Sequence, residues 1–276
     1  MSTFDRHYDV VVIGAGPAGG LAAFTAAKAG LKTLLVEKHH TIGEPVCCAE
    51  AISFCGLTDN VELDRGWVAA DIERCYLHTP GGKVIDFFHP DAGFVLSRPR
   101  FEQGLANRAA SHGADVMTGT EAIGVEKSDT HRVAGVQLQQ NGTKLNVGCE
   151  VLIAADGVES MIARWAGIDT TLSVDHMDSA AQYLFGNVPD LDPRCLEFYF
   201  DTELAPGGYA WVFPKGNGTA NVGMALAPAV AKGRKANRML AEFVKKRFGD
   251  SKLEPLKKSV GGIRNSTGES SCGRAT

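Results

Sequence analysis

The stretch "YDVVVIGAGPAGGLAAFTAAKAG" limits what this chain can fold into more than any other part of it. Four apolar residues, Val10 to Ile13, run into Gly14-x-Gly16-x-x-Gly19. A small-residue helix through Leu21, Phe24 and Ala27 follows and stops at Gly30. "KTLLVEK" then reads as a second apolar strand ending at Glu37. Strand, glycine turn, helix and strand make a βαβ unit, with the turn at the carboxyl end of the first strand. Gly14 permits the tight turn, Gly16 lets backbone approach a pyrophosphate, and Gly19 lets helix pack on strand. The helix N-terminus offers partial positive charge to phosphates. Glu37 lies 23 residues beyond Gly14, where a carboxylate takes ribose hydroxyls and repels a 2′-phosphate. The candidate cofactor contacts here are Gly14, Gly16, Pro17, Ala18, Gly19, Glu37 and Lys38. The same 10–27 stretch is long and uncharged enough to mimic a membrane span, but its glycines and Pro17 argue for the nucleotide turn.

The chain has 276 residues, 44% hydrophobic and 22% charged, which suits a folded protein of one large or two smaller domains. A net charge of −4 argues against a nucleic-acid binder held by bulk electrostatics. Seven cysteines form no C-x-x-C pair, and the N-terminus lacks a basic signal-peptide start. Free thiols in a reducing, cytoplasmic setting are expected, and metal is disfavoured for want of His or Cys at ligand spacing. Residues 229–258 carry ten Lys/Arg against three acids. With Met239, Leu240, Phe243 and Val244 on one side, that segment reads as a docked helix with a solvated basic face. A sharper reading is peripheral attraction to an anionic membrane, on its inner face.

Further along, "LSRPRFEQGLANRAASHGADV" reads as a helix with Pro99 near its start and Gly113 at its C-cap. "VAGVQLQQNGTKLNVG" reads as a hairpin around Asn141-Gly142, leading into a strand that stops at Asp156-Gly157. This order is similar to that of flavin monooxygenase-type proteins of the hydroxybenzoate-hydroxylase fold, which bind FAD. The resemblance implies that Arg98 and Asp156-Gly157 help hold the flavin's diphosphate and ribityl region. In "CLEFYFDTELAPGGYAWVFPK", Leu196, Phe198 and Phe200 share one strand face, and Tyr209, Trp211 and Phe213 share a face of the next. Periodicity alone makes this ordinary sheet core.

Four stretches, "DVVVIGAGPAGG", "IGEPVCCAEAIS", "AADGVESMIARWAGID" and "YAWVFPKGNGTANVG", resemble the geranylgeranyl reductases, particularly the archaeal digeranylgeranylglycerophospholipid type. The last contains the family's Y-x-W-x-F-P-K lipid-site motif in full. The resemblance implies substrate contacts at Tyr209, Trp211, Phe213, Pro214 and Lys215, and catalytic roles for Cys48 and Glu50 of its P-x-x-C-x-E loop. It implies FAD-dependent reduction of prenyl C=C bonds on a lipid or diphosphate. The electron donor is open among ferredoxin, a nicotinamide and a deazaflavin. Cys48 and Cys55 lack the C-x4-C separation of a redox pair, and a buried cysteine is otherwise a small hydrophobe. A flavin hydroxylase or halogenase of the same fold, and a non-catalytic nucleotide-binding fragment, are the alternatives.

The expected fold is α/β, a Rossmann-type FAD domain (1–65 and 96–167) with an inserted antiparallel-sheet substrate domain (66–95 and 168–258). The family likeness stops after Ile263, where relatives continue into a flavin-binding G-D-A-A segment. Here "RNSTGESSCGRAT" contains no Val, Ile, Leu, Met, Phe, Trp or Tyr. Residues 259–276 are therefore expected to be an incomplete return to the FAD domain with an irregular tail.

Overall fold

The computed structural model of the protein describes residues 4–129, 132–173 and 176–264. Along the chain, β1 (Arg6–Ile13), α1 (Pro17–Lys28) and β2 (Thr33–Val36) come first. Next are β3 (Ala51–Ser53), α2 (Phe54–Thr58), β4 (Val68–His78) and β5 (Val84–Leu96). Then follow α3 (Arg98–Ser111), β6 (Asp115–Met117), β7 (Thr120–Lys127), β8 (Val133–Gln140), β9 (Thr143–Ala154) and α4 (Met161–Ala166). The remainder is β10 (Met177–Gly186), β11 (Cys195–Tyr199), β12 (Ala210–Pro214), β13 (Ala220–Leu226), α5 (Pro228–Ala231), α6 (Ala236–Phe248) and β14 (Glu254–Arg264). Two compact units emerge among the described residues: 4–44 with 98–171, and 45–97 with those from 172 to 264.

The first unit is a six-stranded sheet ordered β6-β2-β1-β9-β8-β7. Its β6-β2-β1-β9 part is parallel, with Ile13 beside both Val36 and Ala154. A strand covered on both faces must be apolar along its length, which is why Val10 to Ile13 read as an unbroken run. Val10 and Val12 pack with Ala23, Ala27, Ala106 and Ala109. Val11 and Ile13 pack with Tyr8, Leu138 and Ile162 on the other side. A Cβ at Gly20 would come within 2.9 Å of Leu105, so the glycine sets how closely α1 and α3 approach. The Asn141-Gly142 hairpin forms as expected: both residues have positive φ, 50° and 81°, and Gln140 pairs with Thr143.

The second unit is an eight-stranded sheet ordered β14-β10-β13-β12-β11-β4-β5-β3. It is antiparallel except where β11 runs parallel to β4. One face carries α6, whose Leu240 and Phe243 are buried against Val212, Val222 and Met224. The polar side of α6 is tied down by Arg247 to Glu197 (3.1 Å) and Lys246 to Asp201 (3.1 Å). This matches the docked-helix reading. The opposite face carries Trp211 and Phe213, with Phe198 packed against them.

Two expected boundaries shift. Residues 45–65, assigned by sequence to the nucleotide domain, cluster with the second unit, because β3 pairs with the end of β5 and Phe54 lies 5.8 Å from Phe94. Residues 259–264 do not return to the nucleotide domain: they finish β14, which takes the free edge of β10 from Glu254 to Arg264. Residues 265–276, most of the expected irregular tail, lie outside the described residues.

Leu240 is fully buried in the core under α6, whereas the Arg238 side chain is 84% exposed. Leu240→Ala is therefore expected to lower the stability of this unit by about 2–5 kcal/mol, and Arg238→Ala by no more than about 0.5 kcal/mol. Urea denaturation followed by tryptophan fluorescence measures both.

Candidate functional site

The chemistry-bearing residues gather in two places, one in each unit. In the first unit, the carboxyl ends of β1, β2 and β9 lie side by side, and each delivers part of a cradle. Gly14 has φ 98°, and a Cβ there would meet the Ala155 carbonyl oxygen at 2.4 Å. A Cβ at Gly19 would stand 1.8 Å from the Gly14 oxygen. Those two glycines are required by packing of backbone on backbone. Gly16 differs: a Cβ there would meet nothing within 4 Å. It caps the N-terminus of α1, with Pro17 at the first helical position and Ala18 exposed. The open space at Gly16 is what a pyrophosphate resting on a helix N-terminus needs.

Glu37 leaves the end of β2 and accepts from the Ala15 amide at 2.9 Å and the His39 amide at 3.0 Å. Its carboxylate thus meets the glycine turn, in the position that suits ribose hydroxyls. Lys38 is exposed and paired with Glu159 at 2.7 Å, an interaction that raises its pKa. Asp156 accepts the Ile162 amide at 2.9 Å, capping α4, and Gly157 turns the chain with φ 69°. Arg98 is bound by the nearly buried Glu102 one helical turn on, an acid that the sequence reading missed. The turn, Glu37 and Asp156 are brought together by the parallel strands. Arg98 belongs to the start of α3, where a Cβ on Gly43 would stand 2.5 Å from Pro99.

In the second unit, a pocket of about 490 Å³ is walled by Phe198, Tyr209, Trp211 and Phe213 and bordered by Cys47, Cys48 and Glu50. Pairing of Phe198 with Trp211 across β11 and β12 puts the aromatics of both strands on one face. Their ring centroids are 5.1–6.2 Å apart. Gly223 lies opposite Trp211, and a Cβ there would meet the indole at 2.5 Å. The glycine therefore lets the ring lie across β13, so that its N–H reaches Gln182 Oε1 on β10 at 2.9 Å. Burial pushes the Tyr209 phenol pKa up, with Cys48 and Asp178 adding to the effect.

The thiol loop is held at each residue from Cys48 to Glu50. Gln182 Nε2 donates to the Cys48 carbonyl at 3.1 Å, and Asn221 Nδ2 to that of Ala49 at 3.1 Å. The Leu96 amide donates to the carbonyl of Glu50 at 2.9 Å. Cys48 Sγ accepts the Glu50 amide at 3.2 Å. Glu50 itself is 6% exposed with φ 72°, a left-handed conformation that costs a non-glycine residue of order 1 kcal/mol. Its Oε2 accepts from Asn221 at 2.8 Å and from Lys215 Nζ at 2.8 Å. Lys215 Nζ also donates to the Leu96 carbonyl. Pro214 and Lys215 are absent from the pocket lining, unlike the other three motif residues. Gln182 and Asn221 went unnoticed in the sequence. The available signal was a polar amide in each of two otherwise apolar strands, "SAAQYLF" and "ANVGMAL".

The geranylgeranyl reductase catalytic domain matches residues 176–263, and the pyridine nucleotide-disulphide oxidoreductase family matches residues 8–196. A digeranylgeranylglycerophospholipid reductase from Methanocella arvoryzae is 41% identical over 261 residues, 93% of this chain and 66% of that protein. The chain spans 61–66% of the length of the curated relatives it matches. A geranylgeranyl bacteriochlorophyll reductase-like structure from Thermoplasma acidophilum superimposes with a TM-score of 0.87 at 38% identity, covering 94% of this chain and 66% of its own. The flavin-dependent brominase Bmp2 reaches a TM-score of 0.73 at 20% identity, covering 93% of this chain and 67% of its own, and shares the fold alone. With the glycine turn, the aromatic wall and the thiol loop all in place, the chain belongs to the geranylgeranyl reductases, built on the dinucleotide-binding frame of the pyridine nucleotide-disulphide oxidoreductase family.

Proposed function

We propose that the protein is an FAD-dependent oxidoreductase that saturates C=C bonds in the geranylgeranyl chains of a prenyl lipid. The observation that carries this reading is the aromatic pocket bordered by a held thiol loop. The first unit holds FAD: Gly16 and the α1 N-terminus take the pyrophosphate, Glu37 the adenosine ribose, and Asp156-Gly157 with Arg98 the ribityl side. The relatives' names supply the substrate class, a glycerophospholipid with two geranylgeranyl chains. An isolated alkene has no carbonyl to polarise it, so saturation needs hydride on one carbon and a proton on the other. Reduced FAD supplies the hydride when bound, and a donor of ferredoxin, nicotinamide or deazaflavin type supplies the electrons. The chain's own residues do the rest. Phe198, Tyr209, Trp211 and Phe213 exclude water and hold the apolar chain in place.

The proton falls to Cys48 rather than Glu50. Glu50 Oε2 receives N–H donors from both Lys215 and Asn221, an arrangement that suits a carboxylate acceptor. Cys48 borders the pocket and its sulfur already accepts the Glu50 amide, which stabilises negative charge left after proton transfer. Among the described residues no helix is long and apolar enough to cross a membrane. Peripheral contact with an anionic lipid surface through the basic side of α6 completes the reading.

Two outcomes test it. Glu37→Ala is expected to weaken FAD binding by about 1–3 kcal/mol, measured by flavin titration. Unchanged affinity removes Glu37 from the site. Cys48→Ser is expected to retain FAD while slowing alkene saturation about 10²–10⁴-fold, with Cys47→Ser near parent rates. Product mass, rising in steps of two hydrogens, follows the reaction. Equal rates in parent and Cys48→Ser would make the cysteine loop packing only.

A further inference from the structure

Lys215 completes the lipid-site motif, yet its ammonium does not line the pocket. Its side chain is 12% exposed, and the ammonium bonds both the Glu50 carboxylate and the Leu96 carbonyl. Glu50 in turn is held in a left-handed conformation beside Cys48. Three successive carbonyls, those of Cys48, Ala49 and Glu50, each accept a bond from a different strand: β10, β13 and β5. Two of those donors are side-chain amides that have further duties. Gln182 also accepts the Trp211 indole N–H, and Asn221 also donates to Glu50. The thiol, the aromatic wall and the buried ion pair therefore form one connected hydrogen-bonded network. Removing one partner from a buried ion pair leaves an uncompensated charge, which drives local rearrangement.

We propose that Lys215 and Glu50 are positioning residues: their buried ion pair locks the 48–50 loop in its left-handed form and thereby presents the Cys48 thiol to the pocket. This rests on the reading of Cys48 as the pocket's proton source, but its test uses neither flavin nor substrate. Breaking the pair frees Glu50 from its strained conformation, and the Sγ contact with the Glu50 amide goes with it. The thiol then becomes mobile and more accessible, while the sheet on which the loop rests stays folded.

The test is alkylation of the protein carrying Cys47→Ser, with iodoacetamide at fixed pH and modification followed peptide by peptide by mass spectrometry. Cys195 is 1% exposed in the second unit and Cys149 is 4% exposed in the first, so both report global opening. Lys215→Met, and separately Glu50→Gln, are expected to speed Cys48 alkylation at least fivefold while Cys195 and Cys149 stay protected. The double variant Glu50→Gln with Lys215→Met removes both charges and keeps both shapes, and is expected to return the Cys48 rate to within about threefold of parent. Cys48 rates in both single variants within twofold of parent would overturn the proposal. So would Cys195 becoming reactive together with Cys48, because the pair would then stabilise the whole unit rather than position the loop. Failure of alkene reduction with these alkylation results intact would count against the proposed activity and leave the positioning role standing.

Discussion

One buried carboxylate organises the second unit. Glu50 ties its loop to two strands and a turn, through Lys215 on the β12–β13 turn, Asn221 on β13 and, at its own carbonyl, the Leu96 amide on β5. A charge with 6% exposure is tolerated only where it is paired, and here its partners are the Lys215 ammonium and the Asn221 side-chain amide. The aromatic wall depends on the same frame. Trp211 lies flat only because Gly223 has no side chain, and its indole N–H is satisfied only because Gln182 is held between it and the Cys48 carbonyl. The aromatic wall and the polar thiol loop meet there with the indole N–H and the loop carbonyls each given a partner.

The first unit follows a different logic, in which backbone rather than side chains makes the site. Gly14 and Gly19 are packed so tightly that an added methyl would overlap carbonyl oxygens, while Gly16 opens onto free space. Three glycines of one motif thus divide into two that build the turn and one that leaves room for a ligand. Glu37 bridges those roles, since it stiffens the turn through the Ala15 amide and presents its carboxylate at the same edge.

Most of this was legible in the sequence because it obeys short-range rules. The glycine turn, the Asn141-Gly142 hairpin and the alternating aromatics of β11 and β12 are each set by neighbours within a few positions, and Glu37 by its spacing of 23 residues from Gly14. What was not legible depends on register between distant strands. The pairing of Lys215 with Glu50 requires β12, β13 and β5 to be placed first, and nothing local marks Gln182 or Asn221 as partners of a loop 134 to 172 residues away. The placement of residues 45–65 escaped for a related reason. β3 has only three residues, too few for any periodicity to show. For β14, nothing local marks the open edge of β10 as its partner.

The order of β1 and β9 in the chain bears on how this protein emerges from a ribosome. β1 is made before every other described strand, yet its neighbour on one side begins only at Thr143, after β3, β4 and β5 of the other unit have been synthesised. Until then the nascent nucleotide-binding sheet has β2 and β6 on one side of β1 and a bare apolar edge on the other. Pairing at such sequence separation is slow, and an unpaired edge of Val10 to Ile13 is an adhesive surface while it waits. The insertion of the second unit therefore also lengthens the interval in which β1 keeps one unpaired edge.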